Sequence, residues 1–201
     1  MAITSPPTGR PRDPEVDRRI TQAAVALFGE TGWAGFSLEA VARRAGVGKA
    51  SIYLRWPTKE QLLTHALATR VANVADADTG TLRGDLVHLA RQLLELHVGD
   101  GNQAVLRMGV EAASIPGVAE RWTRLRESQV LAARAMVRRG IRRGDVPEDT
   151  SVTLLLDTLC GGVLMHAITT PAELREQLAA DVDGYANRLV DFLLRSVLST
   201  A

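Results

Sequence analysis

Apolar positions recur at three- and four-residue steps from Val16 to Val197, and no segment alternates with the period of two that a strand requires. The pattern predicts an all-α fold of about nine helices without an internal repeat. The first stripe is Val16, Ile20, Ala23, Ala24, Leu27 and Phe28. It follows Asp13-Pro14-Glu15, where a capping acid, a proline at the first helical position and an early carboxylate suit a helix start. Gly32 offers a left-handed stop. Ser37 caps a short second helix to Ala45, Gly46-Val47-Gly48 makes a tight joint, and a third helix, Lys49–Trp56, ends at Pro57.

Thr58-Lys59-Glu60-Gln61 reads as a capping box for a fourth helix reaching about Ala75. A turn follows around Asp76–Thr81. Leu82, Leu86, Leu89, Leu93 and Leu96 then mark a fifth helix to Val98, stopped by Gly99-Asp100-Gly101. A sixth covers Asn102–Ala113 and breaks at Ile115-Pro116-Gly117. The seventh is long, Val118–Arg143, and Gly144-Asp145-Val146-Pro147 separates it from an eighth at about Glu148–Thr169. Thr170-Pro171-Ala172-Glu173 is expected to cap a single ninth helix, with the stripe Leu174, Leu178, Val182, Tyr185, Leu189, Phe192 and Val197.

The segment Leu38–Trp56 has the steric plan of a helix-turn-helix. Two helices crossing steeply need a small side chain at their contact, which Ala42 supplies, and a left-handed corner, which Gly46 takes without cost. Val41, Val47 and Ile52 fill the core beneath the corner, with Leu27 and Phe28 behind. Lys49, Ser51, Tyr53 and Arg55 are left on the exposed part of the third helix. A plain αα-hairpin would also place Ala and Gly at such a joint.

The surrounding residues decide between the two. Phe36-Ser37-Leu38, Ala45-Gly46-Val47-Gly48-Lys49-Ala50-Ser51-Ile52-Tyr53 and Trp56-Pro57-Thr58-Lys59-Glu60-Gln61-Leu62 resemble the DNA-binding domain of the TetR family of repressors. Residues 14–63 carry the resemblance; the rest agrees only in length and helix order. It implies a homodimer on a palindromic double-stranded DNA operator, released by a small-molecule effector held in the C-terminal domain. It implies phosphate contacts from Ser37, Lys49, Tyr53 and Lys59, and places Ala50, Ser51, Leu54 and Arg55 nearest the base edges. Arg55 suits a guanine and Leu54 a thymine methyl. Gly48 stands where the family commonly has Ser, Leu54 where an aromatic is frequent, and Arg55 where His is frequent.

The expected organisation is a flexible arm over 1–12, a helix-turn-helix domain over 13–57, and a ligand-binding and dimerisation domain over 58–201. Net charge is only +1, yet residues 1–60 carry nine Lys/Arg against six Asp/Glu, so a nucleic-acid site belongs near the N-terminus. The arm, with Arg10 and Arg12, is placed to enter a minor groove. A single Cys160 excludes an internal disulfide framework. Met1–Arg12 has no apolar stretch, and the uncharged run Thr158–Ala172 is short for a bilayer, so a cytoplasmic protein with no membrane partner is expected.

No enzyme motif, metal-ligand spacing or cofactor loop appears after residue 60, and a non-enzymatic role is expected. His65, His88, His97 and His166 include no pair four apart. A largely aliphatic effector pocket is expected from Leu93, Leu96, Met108, Trp122, Val163, Met165 and His166, with Arg107, Glu111, Gln129 and Asp157 as further orienting groups. The dimer is expected through the last two helices, at Gly161, Gly162, Leu178, Tyr185, Leu189 and Phe192. Two glycines inside a helix cost about 1 kcal/mol each, which close backbone approach would justify. An all-α binding protein without DNA affinity, and a DNA-binding activator indifferent to ligand, are the alternative functions.

Overall fold

The carboxylate of Asp13 accepts the Glu15 N–H at 3.0 Å, and Pro14 opens the first helix as expected. The computed structural model describes residues 13–68, 77–98 and 102–198. The arm, the far end of the fourth helix towards Ala75 and the Gly99-Asp100-Gly101 stop therefore lie outside the described residues. Within them, the helices are α1 (Pro14–Gly35), α2 (Leu38–Ala45), α3 (Lys49–Tyr53), α4 (Lys59–Ala68), α5 (Leu82–Val98), α6 (Asn102–Glu111), α7 (Ala119–Arg143), α8 (Val152–Thr169), α9 (Arg175–Ala180) and α10 (Val182–Leu198). No strand occurs among them.

α3 ends at Tyr53, short of the expected Trp56, and α8 begins at Val152 behind its cap Ser151, not at about Glu148. Two further differences change the path of the chain. Gly32 takes φ 65° and ψ −173°, yet the chain resumes helical geometry for one more turn to Gly35, so the glycine makes a kink and not a stop. The ninth helix is two. Asp181 leaves helical angles (φ −112°, ψ 23°), its carboxylate bonds Arg188 at 2.6 Å, and the chain bends so that Leu178 and Ala186 both reach the interior. Thr170 does not cap the next helix; its hydroxyl donates back to His166 O at the end of α8, at 2.6 Å.

Buried side chains fall into two groups. The first lies under α1–α4 and also takes in Ala104, Met108 and Ala112 at α6, then Ile115 and Val118, with Trp122 packed against it. The second joins α5, the C-terminal half of α7, α8 and α10 around Leu86, Leu89, Met136, Leu159, Val163 and Val190. The N-terminal core thus borrows a helix from the second half of the sequence. At roughly 25 cal/mol per Å² of apolar surface, a buried Leu or Met contributes about 2 kcal/mol, so Met108 is a substantial bond between the halves.

The second core is pinned at one end by charge. Asp85 is fully buried. Its Oδ1 accepts the Thr79 N–H and hydroxyl at 2.7 and 2.8 Å, and its Oδ2 accepts Nη2 of both Arg139 and Arg143 at 3.2 Å. Asp145 alongside accepts the Leu82 N–H at 2.7 Å, closing the start of α5. Burial pushes the Asp85 carboxyl up, but the bonds from Thr79, Arg139 and Arg143 together outweigh it and hold the group below the ordinary carboxylate range.

Asp85→Asn keeps the volume and removes the charge. Arg139 and Arg143 keep Asp78, and Arg143 also Asp145, as acidic partners nearer the surface, so the loss expected is about 3 kcal/mol, the low end for a broken buried pair. Because the folded carboxyl titrates below its unfolded value, the stabilisation is present above the unfolded pKa and is lost as pH falls through the folded one. Thermal melts from pH 7 to 3 therefore fall more steeply for the wild type than for Asp85→Asn. Parallel curves for the two proteins would remove Asp85 from the acid response.

Candidate nucleic-acid interface

The helix-turn-helix is assembled from the corner outward. Gly46 closes α2 in the left-handed conformation (φ 65°, ψ 38°), its N–H bonding back into α2, and Val47 N–H reaches Ala42 O at 3.0 Å. Ala42, Val41 and Ile52 are buried beneath it, and Phe28 and Phe36 meet edge to face at 6.2 Å behind. Gly48, at the start of α3, provides no side-chain cap.

What remains outside is one face of α3. Lys49 and Ala50 are exposed, Leu54 is 82% exposed and Tyr53 44%. Ser51 is half-buried. Ser37 caps α2, its Oγ accepting the Ala40 N–H at 3.2 Å, and Thr58 caps α4 by accepting the Gln61 N–H at 3.3 Å. Neither hydroxyl donates to another group among the described residues.

Two expected DNA contacts are already engaged inside the protein. Arg55, expected at base edges, is turned inward. Its Nε pairs with Asp17 of α1 and its Nη1 donates to Ser51 O and Oγ at 2.9 and 2.7 Å, leaving the side chain 14% exposed. It ties the turn after α3 to α1. Lys59, expected at a phosphate, places its ammonium 3.8 Å from the Trp33 ring centroid and 3.4 Å from the carbonyls of Trp33 and Phe36. It ties the start of α4 to the last turn of α1.

Acidic neighbours temper the basic face. The Tyr53 hydroxyl donates to Glu39 Oε1 at 2.6 Å, which lowers the Glu39 carboxyl and raises the Tyr53 phenol. Arg44 is forked onto Glu30 at 2.5 and 2.7 Å. Arg43 and Lys49 remain exposed on α2 and α3.

The pocket residues expected from the sequence are not brought to one cavity. Met108 is fully buried in the first core and Trp122 leans on that same core; Val163 is fully buried in the second core and Leu93 packs against it. Leu96 is half-buried, Met165 is 53% exposed, and His166 lies flat on Tyr185 at 3.8 Å. Arg107 and Glu111 bond to α1. A periodic stripe cannot distinguish which of two cores a helix face meets. Two hollows lie elsewhere among the described residues: one of about 480 Å³ between Asp149–Thr158 and the end of α10 at Phe192, Ser196 and Val197, and one of about 550 Å³ between the start of α5, Asp145 and the α10 residues Asp191, Leu194 and Leu198.

The expected dimer residues divide likewise. Leu178 is buried in its own chain, Leu189 packs against the second core, and Gly162 faces Leu189, whose Cδ1 stands 3.4 Å from where a Cβ would be. A Cβ there would make an ordinary van der Waals contact, so Gly162 faces α10 of its own chain. Gly161 meets nothing within 4 Å, and Phe192 is 63% exposed.

Comparison with known proteins gives this geometry its context. Residues 20–66 match the family model described as bacterial regulatory proteins, tetR family, and residues 76–191 match that of the tetracyclin repressor-like C-terminal domain. The chain is 34% identical to the HTH-type transcriptional regulator AqdR of Rhodococcus erythropolis, over 76% of this chain and 73% of that one. It is 26% identical to the HTH-type regulator YdeS of Bacillus subtilis, over 87% and 89%. Among solved structures, the TetR family regulator PfmR of Thermus thermophilus superposes with a TM-score of 0.70 at 20% identity, covering 88% of this chain and 94% of that one. The regulator FadR of Bacillus subtilis, in complex with stearoyl-CoA, superposes at 0.61 and 18%, covering 88% and 97%. With both halves matched in order and a helix-turn-helix at the front, the chain belongs to the TetR family of transcriptional regulators.

Proposed function

We propose that the protein is a homodimeric repressor that binds a palindromic operator through α3 and leaves it when a small apolar or amphipathic molecule binds the C-terminal half. The observation that carries the reading is the single open face of α3: Lys49, Ala50, Tyr53 and Leu54 stand outward while Ile52 and Arg55 are held within. Lys49, Ser37 and Tyr53 hold phosphates. Ala50 and Leu54 lie against base edges, where an aliphatic side chain favours a thymine methyl. On docking, the Tyr53 hydroxyl exchanges Glu39 for a phosphate oxygen.

The second copy sits on α8 and α10. Leu154, Met165 and Ile168 are exposed along one face of α8, and Phe192 along α10. α8 is long and apolar enough to cross a membrane, and 28% of its residues are buried within the chain. Asp157 and Thr158 lie exposed on that same face. Mixed polar and apolar positions fit a protein partner better than lipid. Two recognition helices must then meet successive major grooves about 34–36 Å apart.

The effector's polar end is drawn to a buried polar atom left unbonded among the described residues. Gln92 Oε1 on α5 and Trp122 Nε1 on α7 are buried with no hydrogen-bond partner among the described residues, an acceptor and a donor for a ligand's polar end. The fold relative bound to stearoyl-CoA supports an apolar chain with a polar head. By linkage, operator and effector weaken each other's binding by the same factor.

The test is selection from random-sequence duplexes with the full-length protein, followed by binding at several salt concentrations. An inverted repeat is expected, and Lys49→Ala should lower the slope of log K against log salt by about 1. Recovery of no preferred sequence, with no salt dependence, would overturn the reading. In sedimentation, Phe192→Asp and Gly161→Leu should shift dimer to monomer and weaken operator binding by about a hundredfold or more. A dimeric, fully active pair of variants would move the interface elsewhere.

A further inference from the structure

In an unbroken helix the N–H of Trp33 would bond the carbonyl of Gly29, and that of Ala34 the carbonyl of Glu30. The kink at Gly32 opens this turn, and α6 fills the gap. Trp33 N–H donates to Glu111 Oε2 at 2.8 Å, while Arg107 Nε donates to Gly29 O at 2.6 Å and its Nη2 to Glu30 O at 3.1 Å. Arg107 Nη1 and Glu111 Oε1, one turn apart on α6, bond each other at 3.2 Å. Donor and acceptor of one broken helical bond are thus each taken by one half of an ion pair on another helix. The fit depends on bare backbone: a Cβ on Gly32 would stand 2.7 Å from Glu111 Oε1 and 2.9 Å from Arg107 Nη1. A Cβ on Gly29 would stand 3.0 Å from Ala104 N, so the two helices touch there as well.

The held turn is one on which the DNA-binding elements depend. The Trp33 ring stacks on Phe36 at 6.0 Å and lies under the Lys59 ammonium at the start of α4. Phe36 immediately precedes Ser37, the cap of α2. One turn of α1 therefore sets where α2 and α4 begin, and α3 lies between them.

We infer that Arg107 and Glu111 are positioning residues for DNA binding: acting through Trp33, they hold α2, α3 and α4 in the arrangement that reads sequence. This rests on the regulator reading above. Displacing α6 breaks donor and acceptor together, so α1 loses both braces at once and the turn at Trp33–Phe36 is released. A charge-assisted bond to a backbone amide contributes about 1.5–3 kcal/mol, which corresponds to roughly tenfold to a hundredfold in an equilibrium.

The experiment compares full-length wild type, Glu111→Ala, Glu111→Gln and Arg107→Ala on two duplexes: the sequence that the wild type selects from a random pool, and a scrambled version. Loose phosphate binding tolerates a small rotation of α3, whereas base contacts do not. Glu111→Ala and Arg107→Ala are expected to lose about tenfold or more on the selected duplex and less than about twofold on the scrambled one, with the salt slope unchanged. Glu111→Gln, which keeps an acceptor for the Trp33 amide, should recover most of the loss in Glu111→Ala. Amide hydrogen exchange at Trp33 should rise by about tenfold in Glu111→Ala, while segments of the second core stay protected. Equal losses on both duplexes with a lowered melting temperature would make the pair merely structural and overturn the inference. Unchanged selectivity and unchanged Trp33 exchange would overturn it too, leaving the regulator reading intact. A wild type that selects no sequence would bring down that reading, and this one with it.

Discussion

A helix interrupted at one residue leaves backbone groups that must find partners elsewhere, because burying them unpaired costs more than most side-chain contacts return. At Gly32 the partners come from α6, which lies far along the sequence but beside α1 in space. That obligation shapes much of the N-terminal half. The helix that meets it also packs Ala104 and Met108 into the core of the N-terminal helices, and its bonds hold the turn that carries Trp33 and leads to Phe36. Lys59 is fastened to that turn, so the start of α4 is set by the same break.

The DNA face shows how charge can be present without being free. Residues 1–60 have a basic balance, but Arg18, Arg44 and Arg55 are each paired with an acid of the same region. Among the described residues of this region, Arg19, Arg43 and Lys49 are the exposed cations outside those pairs, and the Tyr53 hydroxyl is held by Glu39. Phosphate contacts from so few cations supply affinity without sequence information, so discrimination on such a face depends on fit. Rigidity of the frame behind α3 then matters more than the number of its cations.

Local chemistry was legible in the sequence. Asp13, Ser37 and Thr58 cap helices where their positions say they should, and Ala42, Gly46 and Ile52 build the corner their sizes allow. Helix order was legible for the same reason, because caps and periodicity act within a few residues. Long-range partners were not. Nothing near Arg55 announces Asp17, nothing near Arg107 and Glu111 announces the open turn of α1, and a stripe of Leu and Met does not say which of two cores it meets. The break at Asp181 was hidden because a short-loop kink keeps the apolar spacing nearly intact on both sides. Gly161 and Gly162 look alike in sequence and differ only once α10 is laid beside one of them.

The carboxylate of Asp85 receives four hydrogen bonds from three residues, Thr79, Arg139 and Arg143, contributed by segments on either side of the second core. Energies within such a cluster do not add. Arg139 and Arg143 also reach Asp78, and Arg143 reaches Asp145, so an exchange at Asp85 leaves them partnered at the rim but unpaired at the buried corner, and tolerated changes there are expected to come together. Across descendants of this chain, those positions are expected to stay fixed together or be replaced together, and a lineage that swaps the cluster for apolar residues must pass through intermediates less stable than either end.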